Sequence, residues 1–159
     1  MITHSFASNG PASGGVAVRY ALIPLLGYGI GAACVEQMLD PEGSGESRLL
    51  QPAEMVPYGA QPVLVSDTTV YGATCVERMM RVWTSELPKP WLVLLSDVPM
   101  PPARAARYRL RALEGRLAGA ATLPYLPALR AVEGPEEALA DKKTAAAAQK
   151  LRRTLGGTK

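Results

Sequence analysis

Two glycine clusters near the start of this 159-residue chain could do phosphate chemistry. A phosphate-cradling loop needs glycines so that backbone N–H groups can wrap the oxygens. It also needs a lysine for the terminal phosphate and a Ser or Thr hydroxyl on Mg²⁺. The run SGGVAVRYA, residues 13–21, offers Gly14 and Gly15 ahead of a predicted helix, with Arg19 as its cation. Lysine and hydroxyl are both missing from register there, and Arg19 is a poor substitute at a position that also sets Mg²⁺ coordination. The second cluster, Gly27-Tyr28-Gly29-Ile30-Gly31-Ala32 after LIPLL, can be read as the G-x-G-x-x-A of a dinucleotide fold. Pro24 inside the preceding run, and no acidic residue closing a second strand about 20 positions on, favour glycines that end a first helix or serve close packing.

Other site chemistries lack their residues. His4 is the only imidazole, and Cys34 and Cys75 stand alone among apolar neighbours with no Cys-x-x-Cys pair. A zinc site of Cys and His would be short of ligands, and a Ser-His-Asp or Cys-His mechanism would have to recruit His4 near the N-terminus. The thiols read as small buried hydrophobes in a reducing compartment. The longest uncharged stretch, Tyr20 to Val35, contains Pro24 and three glycines and is shorter than the ~20 residues that cross a bilayer. No basic region followed by an apolar run marks a secretory leader. The expectation is a cytoplasmic protein with no membrane span.

Hydrophobic periodicity gives the elements that would position a site. PVLVS (62–66) and WLVLL (91–95) are continuous apolar runs of the kind buried on both faces, and 121–123 reads as a short edge-like strand. Between them, Val76, Met80, Trp83 and Leu87 repeat at helical spacing over 72–87, as do Ala106, Leu110, Leu113 and Leu117 over 103–117. A helix over 32–39 and a last one from about Pro135 to Leu155 complete the set, with Glu136 and Glu137 at the positive end of the last. Strand and helix alternate as in a mostly parallel sheet flanked by helices, an α/β fold. Ligands of such sheets bind at the carboxyl ends of strands, here Asp67, Thr68, Asp97, Pro99 and Tyr125. A chain of this size reads as a single α/β domain over 1–135, with a polar loop at about 40–62 and a basic C-terminal helix or tail over 136–159.

Charge is uneven. Residues 1–100 carry five Lys/Arg against nine Asp/Glu; residues 101–159 carry twelve against five. Arg104, Arg107 and Arg111 share one helical face, and Lys142, Lys143, Arg152 and Arg153 lie in the final stretch. Such a third could bind nucleic acid or simply be a solvated face. With Gln149 the only Asn or Gln in it, any binding would be mostly to phosphates.

The stretch from PVLVSDTT through LPYLPALR, residues 62–130, resembles the C-terminal half of the septum-site and plasmid-partition ATPases (the MinD/ParA group). The likeness rests on the order of elements and on the turn Leu123-Pro124-Tyr125-Leu126-Pro127-Ala128-Leu129. It is similar to short, divergent versions found in actinobacterial plasmids and mobile elements. The resemblance implies a truncated P-loop NTPase-like fold. It also implies a deviant Walker A motif over Ser13–Tyr20 that keeps only Gly14 and Gly15. The signature lysine falls on Ser13, the catalytic lysine on Val18 and the Mg²⁺-binding hydroxyl residue on Arg19. Adenine would pack between Asp97 and the Pro124–Leu126 turn, with Tyr125 beside it; Asp in place of the family's Asn leaves only an acceptor. What the resemblance implies is a catalytically degenerate protein, a pseudo-ATPase, serving as a binding or scaffolding module with a protein partner in plasmid or mobile-element maintenance. The alternatives are a nucleotide-binding switch or ATPase holding ATP or ADP through Gly14, Gly15, Arg19, Asp97, Pro124 and Tyr125, or a nucleic-acid-binding accessory protein using the basic third. No cofactor is firmly implied, and the sequence names neither the partner nor the oligomeric state.

Overall fold

The structure, a computed structural model, describes residues 17–156. Its strands are β1 (Tyr20–Pro24), β2 (Ser47–Leu49), β3 (Gln61–Asp67), β4 (Trp91–Leu95) and β5 (Gly119–Leu123). All pair in parallel, in the order β2-β1-β3-β4-β5. The result is an α/β fold with an all-parallel five-stranded sheet flanked by helices, consistent with the Rossmann/P-loop-like class. Strand order reverses between β1 and β3, so their carboxyl ends form the switch point where such sheets take ligands.

The helices are α1 (Ile30–Met38), α2 (Val70–Arg81), α3 (Arg104–Arg111), α4 (Pro135–Leu139) and α5 (Lys142–Leu155). Alternate strand residues serve opposite cores, which is why the strands read as continuous apolar runs. Leu22, Val63, Val65 and Val93 meet α1 and α5 through Val35, Met38, Leu151 and Leu155. On the other face Leu64, Leu92 and Leu94 meet Val76 and Met80 of α2 and Leu110 of α3. The C-terminal basic helix is therefore no appendage. Ala147, Ala148, Leu151 and Leu155 of α5 are all buried in the first core.

Several expectations are corrected here. Tyr20–Pro24 is a strand where a helix after the 13–15 glycines was expected, and the 27–32 glycines open α1 rather than end a helix. The polar loop at 40–62 contains β2. Asp40 organises the turn before it, accepting from the Ser44 N–H and hydroxyl at 3.0 Å and from the Gly45 N–H at 2.8 Å. Helix α2 stops at Arg81, and Trp83 continues the apolar stripe from a turn, its indole N–H donating to the Pro88 carbonyl at 3.0 Å. Past Arg111 the expected long helix gives way to a 3-10 turn at Glu114–Arg116. The last helix is broken at Asp141, whose carboxylate caps α5 by accepting from the Thr144 N–H at 3.0 Å.

Candidate functional site

A cleft of about 450 Å³ opens at the carboxyl ends of β1, β3, β4 and β5. Its first wall is the turn between β1 and α1. Gly27 sits at φ 109, a conformation side chains rarely adopt, and Gly29 caps α1 without any side-chain hydrogen bond. Gly31 allows close packing: a Cβ there would lie 2.7 Å from Cδ1 of Leu95. The Tyr28 hydroxyl donates to the Leu50 carbonyl at 2.5 Å and fastens the loop to the end of β2. The amide end of α1 thus faces the cleft with the positive end of its dipole.

The opposite wall comes from β3, β4 and the chain after β5. Asp67 ends β3, and its Oδ1 accepts from the Thr69 N–H at 3.0 Å and the Thr69 hydroxyl at 2.6 Å. Thr69 in turn accepts from the Gly72 N–H at 2.9 Å and caps α2. A Cβ at residue 72 would collide with the Asp67 carboxylate, so glycine is what lets this capping chain close. Asp97, in the loop after β4, accepts from the Thr68 hydroxyl at 3.0 Å through Oδ1 and is otherwise open to solvent. The floor hydroxyls are engaged. Ser66 donates to the Gly72 carbonyl at 2.9 Å and Ser96 to the Leu123 carbonyl at 2.7 Å. Tyr125 and Arg130 line the rim.

Among the described residues, the charged side chains lining this cleft are therefore two carboxylates, Asp67 and Asp97, and one guanidinium, Arg130, with no lysine. Apolar wall is supplied by Leu26, Ile30, Val65, Leu95 and Leu129. Chemically, the arrangement can hold a group with a flat or apolar body that donates hydrogen bonds to carboxylates. A polyphosphate would meet net negative charge in its lining.

Of the residues named from sequence, Asp97, Pro124 and Tyr125 are brought together in this cleft. Thr68 reaches it only through Asp97, and Pro99 does not line it. Gly14 and Gly15 lie outside the described residues, as does His4. Arg19 is elsewhere: it precedes β1, its N–H donates to the Glu46 carbonyl at 2.7 Å, and its guanidinium lies 5.0 Å from the Tyr20 ring centre. There it shares a small hollow with Asp40 and Arg152 at the amino end of the sheet. The basic residues divide between the two faces. Arg104, Arg107 and Arg111 are exposed on α3, while Lys142, Lys143, Arg152 and Arg153 belong to α5 on the other side. Arg152 is occupied, donating to the Met38 carbonyl at 2.9 Å.

Gly27, Gly29 and Gly31, weighed in the sequence as a G-x-G-x-x-A loop and set aside, line the cleft, and so does Arg130, which the sequence did not single out. The signal for the glycines was the run YALIP before them, a strand whose final proline obscured it. Among the described residues no group of three or more His, Cys, Asp or Glu could hold a metal ion. No helix there is long and apolar enough to cross a membrane. No protein-family model, no curated protein and no solved structure matches this chain.

Proposed function

We propose that this protein is a catalytically degenerate MinD/ParA-like module that binds or scaffolds a protein partner, in plasmid or mobile-element maintenance, and does not turn over nucleotide. One observation carries the reading. The stretch in the phosphate-cradling place, Leu26–Ala32, which joins β1 to α1 and opens that helix, has no lysine and no Ser or Thr, and two carboxylates face it against one guanidinium among the described residues. Phosphoryl transfer depends on positioning and on neutralising charge with Lys and Mg²⁺. That apparatus is missing from the strand–loop–helix that should carry it. What the cleft retains is shape, an apolar wall and an acceptor at Asp97, which suit a donor-bearing or cationic side chain of a partner.

A second reading, a nucleotide-responsive switch, draws on the α1 amino end, which no side chain caps and which opens into the same cleft. Arg19 gives it no support, since it lies at the other end of the sheet. Phosphate release from ATP in the presence of Mg²⁺ tests the primary reading. The expected rate is indistinguishable from buffer. Mg²⁺-dependent turnover that disappears in a Gly29→Val variant overturns it.

A further inference from the structure

Strand β5 closes one end of the sheet. It pairs with β4, and no other strand among the described residues takes its outer row of backbone groups. Exposed edges are usually blunted by charged residues or proline, yet β5 reads Gly-Ala-Ala-Thr-Leu. Beside it runs α5, and a groove of about 580 Å³ lies between the two. Ala121 and Leu123 of the strand and Ala147 and Leu151 of the helix give the groove an apolar floor. Lys143 and Lys150 stand over it, both exposed, two helical turns apart. Seven residues at 1.5 Å rise put them about 10.5 Å apart along the helix, between the spacings of about 7 Å and 13 Å that separate same-face side chains two and four residues apart on a strand. Neither ammonium pairs with a carboxylate among the described residues.

We infer that the β5 edge and the two lysines of α5 form a docking groove for an extended acidic segment of a partner protein, taken up by strand addition. The incoming backbone would pair with the outer row of β5, and its alternate side chains would fall on the α5 side, where Lys143 and Lys150 demand carboxylates. A second copy of this chain fits less well. Pairing two β5 edges about a two-fold axis would line four ammonium groups along one seam with no carboxylate between them. Nucleic acid would use the two cations and leave the backbone edge without its alternating donors and acceptors.

The test uses the full ¹⁵N-labelled chain titrated with an acetylated, amidated (Val-Glu)₄ peptide. Expected are amide shifts over Gly119–Leu123 that saturate with a Kd below about 1 mM. Lys143→Gln/Lys150→Gln should weaken binding at least tenfold with an unchanged melting temperature. A (Val-Lys)₄ peptide, and (Val-Glu)₄ N-methylated at alternate residues, should not bind. Absence of shifts at Gly119–Leu123 overturns the proposal. So does binding that tolerates N-methylation, which would be charge attraction alone. A dT oligonucleotide giving the same shifts with the same lysine dependence would replace the peptide with nucleic acid. A dimer in solution that dissociates on adding β5-edge mutations such as Thr122→Lys would replace it with a second copy.

Discussion

Single residues carry sharp consequences. Burial of Asp40 works to raise its pKa, but hydrogen bonds from the Ser44 and Gly45 N–H groups, the Ser44 hydroxyl and the Ser47 N–H outweigh it and hold the carboxyl below its ordinary value. A carboxylate depressed in the folded state stabilises above its unfolded pKa, and that contribution fades as pH falls through the folded value. Asp40→Asn should therefore cost about 1–3 kcal/mol at pH 7. The gap from wild type should narrow as pH falls below the ordinary carboxylate range, measured by urea denaturation across the pH range. Cys34 behaves oppositely: burial pushes its thiol up to about 11. Thiolate is the reactive form, so Cys34 stays inert at neutral pH while half-buried Cys75 is reachable. Iodoacetamide at pH 8 should label one site on the native protein, Cys75, and two in urea; peptide mass mapping checks it.

At the scale of elements, β3 and β4 were legible because each is buried on both faces and bounded by turn formers. Helix α2 was legible as an apolar stripe, although its end was not, since Trp83 keeps the stripe going after the helix stops. Prolines misled in β1 but not in β3, and both are tolerated for one reason. Pro24 lies beyond the register of β2, which covers β1 only from Tyr20 to Leu22, and Pro62 lies before the register of β4, which begins at Val63. Each proline thus has a strand neighbour on one side only, and its missing N–H falls on the other side, where it costs no ladder bond. Strand β2 was invisible because three residues in Gly- and Ser-rich surroundings carry no periodicity; its position is set by Asp40 and by pairing with β1. The packing role of α5 was masked by its lysines and arginines, which flank or oppose the stripe of buried alanines and leucines. Leu151→Ala should destabilise by about 2–5 kcal/mol in thermal or urea unfolding, as for a core leucine. An effect under about 0.5 kcal/mol would mean that α5 does not close the core.

Across the whole molecule, the uneven charge seen along the chain does not become one basic surface. The arginines of α3 and the lysines of α5 lie on opposite faces of the sheet. The cleft between β1 and the chain after β5 was legible in part. Asp97 and Tyr125 followed from the rule that ligands meet carboxyl ends of strands, whereas the glycine wall needed β1 to be placed first. The proposal that this cleft carries no phosphate chemistry is tested most directly by a thermal-shift titration with ATP and ADP, with and without Mg²⁺. A ligand at 100-fold over its Kd stabilises by about 2.7 kcal/mol. For a domain of this size that is a rise of about 5–10 °C. With two carboxylates and no lysine in the cleft, the prediction is no rise for either nucleotide in either condition. A saturable, Mg²⁺-dependent rise that Asp97→Ala removes would contradict the account and put a nucleotide in the cleft.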